Sequence, residues 1–266
     1  MVTVIIPSYN SNEKLTKLLH SLSAQSVDDF NVIIIDDCST TPVKEVTDKF
    51  KNLDIKLIRN EKNIGVGMSR QVGIDNLDTD YFIFADSDDL LLPFAIEAVE
   101  EIIAKTKPEF VVSSFYIQGR SNGFKLFNQN QGYTWCHGKV YKKSVLDKYG
   151  ISNKADYSYW ADDGYLNAQC LELLKITECK IPWYVWVQND ESLTHTTTLE
   201  QKQKDIILLK AMINSAEKVL KYKDKVVHIN NTIAALLNKK PFAKRSQEEQ
   251  QLIVELYNMN GGDSDD

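Results

Sequence analysis

The stretch "YFIFADSDDLLLP", residues 81–93, runs the apolar residues Phe82, Ile83 and Phe84 directly into Asp86, Ser87, Asp88 and Asp89. Neighbouring carboxylates repel and raise one another's pKa values, so such a cluster costs stability unless something compensates it. Two readings are open from these residues alone. Asp and Ser make good turns and helix caps, and Pro93 suits the first position of a helix. Alternatively the cluster gathers a divalent cation, because hard Mg²⁺ or Mn²⁺ prefers oxygen ligands and bridges carboxylates to a phosphate.

Working outward, the first 117 residues alternate strand and helix signals. "VTVIIP" (2–7) is a continuous apolar run of the kind buried in a parallel sheet. Leu15, Leu18, Leu19 and Leu22 follow at helical spacing. "FNVIIID" (30–36), "IKLIR" (55–59), "YFIFA" (81–85) and "FVVSSFYI" (110–117) read as further strands, and 66–77 and 93–107 as helices. This alternation predicts right-handed βαβ units and a mostly parallel sheet, with ligands beyond the carboxyl ends of the strands. The acidic and small polar residues fall at those ends: Ser8–Asn10, Asp36–Ser39 and Asp86–Asp89. From 118 to 190 the sequence turns aromatic, with short helices predicted at 141–149 and 163–174 and a strand at 181–188. From 199 the pattern is helical (199–222, 226–238, 246–258). Ser246 and Glu249 form a capping box for the last helix, and the polar tail 259–266 reads as disordered.

Of the 266 residues, 43% are hydrophobic and 26% charged, as in a globular protein with one large core. No apolar run approaches the roughly 20 residues needed to span a bilayer. "MVTVIIPSYN" has no basic segment before its short apolar run, so it reads as a first strand, not a leader. Cys38, Cys136, Cys170 and Cys179 lack metal-site spacing and read as reduced thiols, so a cytoplasmic location is expected. Charge is uneven. Residues 200–245 carry ten Lys and one Arg against four acids, a local +7 that leaves −13 for the rest of a chain whose net charge is −6. A basic segment on an acidic body points to an anionic partner at one end, unless it is only a solvated helical face. Lys239, Lys240, Lys244 and Arg245 crowd one predicted interhelical loop and are the candidate acceptor contacts there.

Three acidic groups thus lie at strand ends or just before a helix: Asp36–Asp37, Asp86/Asp88/Asp89 and Asp162–Asp163. A strand-end carboxylate can accept from a base or a ribose, an Asp-x-Asp pair can hold a metal on a diphosphate, and an acid across the cleft can act as general base. With "VTVIIPSYN", "VIIIDDCST", "RNEKNIGVGMSRQVGI", "FADSDD" and "WADDGYLN" in this order, residues 1–195 resemble glycosyltransferase family 2, of the GT-A fold. The resemblance implies a Rossmann-like, mostly parallel α/β fold over 1–198, with a nucleotide-sugar half (1–117) and an acceptor half (118–198). A C-terminal helical extension covers 199–258. It implies an inverting, metal-dependent transferase using UDP-sugars. Pro7, Ser8 and Tyr9 would line the uracil pocket, and Asp36 or Asp37 would meet the base edge. Asn63, Gly65 and Arg70 would lie beside the nucleotide with Ser87. Asp86 would face ribose and metal, Asp88 would bind Mn²⁺ or Mg²⁺, and Asp163 would be the catalytic base.

This chain departs from the pattern where Cys38 replaces the usual Gly and Asp162 the usual Glu. His195 is a candidate metal or diphosphate contact, and Trp135 and Trp160 are candidate acceptor platforms beside Asp162. The acceptor reads as a phosphate-bearing glycan or another anionic molecule. Alternatives are a viral-type enzyme that glycosylates hydroxymethylated DNA bases in a host cytoplasm, and a non-catalytic sugar-nucleotide-binding relative. A receiver-type acidic pocket would leave "WADDGYLN" unexplained.

Overall fold

The computed structural model describes residues 1–119, 123–128, 135–153, 162–188 and 242–259. Its centre is a seven-stranded sheet. β1 (Val2–Ser8) is buried along its whole length and lies parallel to both β2 (Phe30–Asp36) and β4 (Tyr81–Phe84), and β3 (Asp54–Arg59) extends the sheet beside β2. On the other side of β4 come β9 (Lys139–Lys142), β6 (Phe110–Ser113) and β10 (Ile176–Cys179), giving the order β10-β6-β9-β4-β1-β2-β3. β9 runs antiparallel to both its neighbours, and the other four pairings of this sheet are parallel. A second sheet has the order β5-β11-β7-β8, from β5 (Leu90–Leu91), β11 (Tyr184–Val187), β7 (Phe115–Gln118) and β8 (Phe124–Phe127).

Strand periodicity sorts the core onto the two faces. Val2, Val4, Ile6, Val32, Ile34 and Ile83 pack with the leucines of α1 (Asn12–Ser23) and with Ile96 and Val99 of α4 (Ala95–Thr106). Ile5, Phe82, Phe84, Phe110, Val112 and Tyr141 face Ile74 of α3 (Val66–Asp75) and Leu166, Cys170 and Leu171 of α6 (Asp162–Leu173). α3 lies close on β1 because Gly73 offers no side chain: a Cβ there would sit 2.4 Å from Ile5 Cγ2.

The expected strand 110–117 is two strands in two sheets. Ser113 N donates to Gly138 O (2.9 Å) and Ser114 N to Cys179 O (3.0 Å), while Ser113 Oγ donates to Ile181 O (2.7 Å), so the chain changes sheets at this pair. A boundary at 117/118 therefore falls inside β7, and β9 returns from beyond it into the first sheet. The helix expected over 141–149 is preceded by β9 and begins at Lys143 as α5 (Lys143–Tyr149), which Gly150 closes at φ 64°. The short α2 (Lys44–Thr47), β5, β8 and β10 have no counterpart in the sequence reading. The capping box at the C-terminal helix Gln247–Met259 is present: Ser246 N donates to Glu249 Oε2 (2.6 Å) and Glu249 N to Ser246 Oγ (3.3 Å). The helices expected at 199–222 and 226–238 and the tail lie outside the described residues. No helix among the described residues is long and apolar enough to cross a membrane.

Candidate active site

The loops after β1, β2 and β3 are stitched together at the carboxyl edge of the sheet. Asp36, buried, accepts from Ser39 N (2.9 Å) and pairs with Arg59, its register partner on β3, whose other nitrogen donates to Ser39 O (2.8 Å). Asp37 Oδ1 accepts from Asn60 Nδ2 (2.9 Å) and Ile64 N (2.8 Å), and its Oδ2 from Gly65 N (2.9 Å). Gly65 sits at φ 83°, a conformation that L side chains avoid, and leads straight into α3. Asn63 Oδ1 also accepts from Gly65 N (3.1 Å). These two carboxylates hold the loops after β2 and β3 in place at the edge of the sheet. Cys38, where the family pattern has Gly, takes the left-handed turn at φ 64° all the same.

Pro7 and Ser8 end β1 in buried positions, while Tyr9 stands half exposed at the rim. Ser8 Oγ meets Ser11 Oγ (3.0 Å), which donates to Ser87 Oγ (2.9 Å), so hydroxyls bridge the ends of β1 and β4. Beyond β4, Asp86 pairs with Arg70, which α3 delivers to it; Arg70 is buried, donates to Cys136 Sγ (3.3 Å) and lies over the Phe84 ring. His137 Nε2 lies 3.6 Å from Asp86 Oδ2 and 3.5 Å from Asp89 Oδ2. Asp89 is buried and tied to β11, accepting from Tyr184 Oη (2.6 Å) and Val187 N (2.8 Å), while Tyr184 Oη accepts from Asp86 N (3.1 Å).

These contacts set the local charges. Burial alone would raise Asp86, but the Arg70 charge and His137 outweigh it and hold its carboxyl well below the usual range. Asp89 is pushed up to about 6 by burial, against the pull of His137. Burial opposes the charged form of His137, yet the Asp86 and Asp89 carboxylates raise it to about 9, so it is an imidazolium at neutral pH. The cluster that looked self-repelling in sequence is thus compensated by two buried cations, Arg70 and His137. Asp88 is half-buried.

Two donor sets bear on a metal. Asp86, Cys136 and His137 bring ligand atoms within 4.8 Å of one another. That soft mixed set suits a metal of the zinc kind, but its nitrogen and sulfur are engaged: His137, raised to about 9, carries protons on its ring nitrogens at neutral pH, and Cys136 Sγ accepts from Arg70 (3.3 Å). The carboxylates of Asp86 and Asp88 are all-oxygen donors at the strand end and fit hard Mg²⁺ or Mn²⁺.

Across this edge, Asp163 stands in the first turn of α6, its Oδ1 accepting from Gly164 N (2.7 Å). Its charge acts on Lys139 and Tyr141, and that of Arg70 acts on Tyr141 as well, in keeping with α3 and α6 lying on the same face of the sheet. Asp162 opens the same helix. Trp135 is half-buried among Phe115, Phe127 and Trp186, and Trp186 stacks on His137 (5.4 Å between ring centres). Lys244 is exposed, but Arg245 corrects the expectation of a loop presenting four cations. Its side chain is fully buried against Glu249 (3.2 Å), one helical turn on, so it is not displayed to a partner. Trp160, His195, Lys239 and Lys240 lie outside the described residues. Sequence reading did not single out Arg59, Cys136, His137, Lys139 or Tyr184. For Arg59 the available signal was its position at the end of a strand in register with Asp36.

The pattern of glycosyl transferase family 2 matches residues 3–159. An uncharacterized glycosyltransferase of Haemophilus influenzae is 39% identical over 103 residues, 39% of this chain and 34% of that protein. The poly(ribitol-phosphate) β-N-acetylglucosaminyltransferase TarS of Staphylococcus aureus is 28% identical over 192 residues, 65% of this chain and 34% of TarS. The matched chain thus spans about a third of the length of these relatives. The crystal structure of S. aureus TarS 1–349 in complex with UDP-GlcNAc superposes with a TM-score of 0.79 at 19% identity, over 97% of this chain and 80% of that one.

Proposed function

The chain belongs to glycosyl transferase family 2, and we propose that it moves a sugar from a UDP-sugar to a hydroxyl of a phosphate-bearing glycan, with inversion at the anomeric carbon. What supports this reading is the Asp86–Asp89 cluster at the carboxyl end of β4 together with Asp163 in the first turn of α6, a helix packed on the same face of the sheet as α3. The likeness to TarS, named as a poly(ribitol-phosphate) β-N-acetylglucosaminyltransferase and solved in complex with UDP-GlcNAc, supports both donor and acceptor class.

In this reading Tyr9, at the rim, covers the base, and the loop held by Asp37 brings Asn63 and Gly65 to the nucleotide. Arg70 and His137 hold the Asp86 and Asp89 carboxylates in place, so that the strand end keeps its shape when the diphosphate arrives. Asp86 and Asp88 would hold Mg²⁺ or Mn²⁺, which supplies positive charge against the diphosphate leaving group. Asp163 takes the proton of the acceptor hydroxyl as that oxygen bonds to the anomeric carbon. The bond from that carbon to the diphosphate breaks on the opposite face, and UDP leaves with the electron pair.

The test is a panel of UDP-sugars with Mn²⁺ or Mg²⁺, with and without ribitol- or glycerol-phosphate polymers, read by mass spectrometry of the acceptor. Asp163→Asn is expected to keep UDP binding and to lower transfer by about two to four orders of magnitude, the range for loss of a general base. Transfer at near wild-type rate by Asp163→Asn would remove Asp163 from this role, and no product with any acceptor would overturn the acceptor class.

A further inference from the structure

A fully buried lysine lies within the site that the sugar-transfer reading leaves unused. Lys139 opens β9, is 0% exposed, and donates from Nζ to His137 O (3.3 Å). A buried ammonium costs several kcal/mol unless charges answer it, and a methionine would fill the same volume without that cost.

Register shows where this lysine points. Residues two apart on a strand share a face, and residues four apart on a helix share a face. Tyr141, two residues after Lys139, donates from its hydroxyl to Asn167 Oδ1 (2.7 Å), and Asn167 is four residues after Asp163 on α6. From Tyr141 to Lys139 the strand advances about 6.6 Å. From Asn167 back to Asp163 the helix advances about 6 Å. The two steps run the same way. β9 pairs Phe82 with Tyr141 and so brings Lys139 toward the carboxyl end of β4, and α6 starts at that end because β10, which follows it, runs back parallel to β6. Lys139 and Asp163 are therefore the next matched pair after Tyr141 and Asn167, one step nearer the β4 cluster. The electrostatics agree: burial brings the Lys139 ammonium down to about 8, while the charges of Cys136 and Asp163 work to keep it protonated. The other charged or titratable groups acting on this interior are Arg70 from α3, Cys170 from α6 and Tyr141 from β9.

We infer that Lys139 is the positioning residue for the Asp163 carboxylate, fixing its direction from beneath and keeping it anionic until the acceptor proton arrives. The inference rests on Asp163 acting as the base. Misdirecting a reacting group by about 1 Å costs up to roughly a hundredfold in rate.

The experiment uses Lys139→Met, Lys139→Gln and Asp163→Asn in the full chain. The readout is UDP release with water as acceptor, from whichever of UDP-glucose, UDP-galactose and UDP-N-acetylglucosamine is turned over fastest, between pH 6 and 9.5. Lys139→Met should lower kcat by about ten- to a hundredfold with the donor KM within about twofold. Wild-type kcat should decline above pH of about 8 as the ammonium deprotonates, and that decline should be missing in Lys139→Met. A wild-type kcat in either Lys139 variant overturns the inference, and so does an alkaline decline that survives the substitution. If neither variant folds, the profile is read in His137→Gln, where the titration near 9 is gone: a flat profile through pH 9.5 overturns the inference, and a decline beginning near 8 supports it. Inactive Asp163→Asn beside fully active Lys139→Met sinks only this inference, whereas active Asp163→Asn sinks the base assignment beneath it.

Discussion

Gly73→Ala measures how far the site depends on the close approach of α3 to the sheet. The added Cβ would stand 2.4 Å from Ile5 Cγ2, with Ile5 Cδ1 at 3.4 Å and Ile35 Cδ1 at 3.5 Å. Ile5 is fully buried in the second strand from the centre of the sheet and branched at Cβ, so its γ2 methyl has no other well to occupy. The helix must lift by about 1 Å, and overpacking of this kind costs about 1–3 kcal/mol. Replacing a mid-helix Gly by Ala returns about 1 kcal/mol of propensity. The geometry is severe, so a net loss of about 2 kcal/mol is expected by urea denaturation, with the m-value unchanged. Arg70 lies three residues before Gly73, so the same lift draws its guanidinium from Asp86, and UDP affinity by calorimetry should fall about tenfold. A cycle with Ile5→Ala closes the argument: the second substitution should cost less in the Gly73→Ala background than alone. Additive effects, or a Gly73→Ala protein as stable as wild type, would refute the claim that Ile5 sets the height of α3.

Two further outcomes follow from the strand-end network. Tyr184→Phe removes the hydroxyl joining Asp86 N to Asp89, and should cost about 1.5–3 kcal/mol in chemical denaturation, as expected for a bond to a buried carboxylate; a cost below about 0.5 kcal/mol would contradict the tie. His137 is raised to about 9 from an ordinary 6.5, so its stabilisation is complete below pH 6.5 and is lost as pH rises through 9, at most on the order of 3 kcal/mol. Lys139 acts in the opposite sense above about 8, so the decline should be clearest between pH 6.5 and 8. His137→Gln should flatten it, and a persisting slope in that variant would assign it elsewhere.

The framework was legible wherever a strand is buried on both faces. "VTVIIP" and "FNVIIID" read as parallel strands because a strand covered on both sides carries no polar alternation. Asp163 was legible as the first-turn acid of a helix. Lys139 and His137 were not, because "CHGKVYKK" carries no local period. Its meaning comes from β9 inserting between β4 and β6, a pairing across many residues that no short window signals. Arg245 misled for a related reason. Counted as charge, it joined its lysine neighbours, while Glu249 one turn later, already marked by the capping box, was the partner that buries it.

The position of β9 also has a bearing on how the chain reaches this state. β1 to β4 can pair as they are made, but β6 has no bond to β4; its neighbours are β9 and β10, both later in the chain. A nascent chain that has emerged only to the end of β6 therefore holds a four-residue strand, three of its residues apolar, with no strand to pair with, and the sheet closes when residues 139–142 arrive between its two parts. Long-range closure of this kind is slow compared with hairpin or helix formation. In hydrogen exchange the amides of β6, β9 and β10 should gain protection together, after those of β1 and β2.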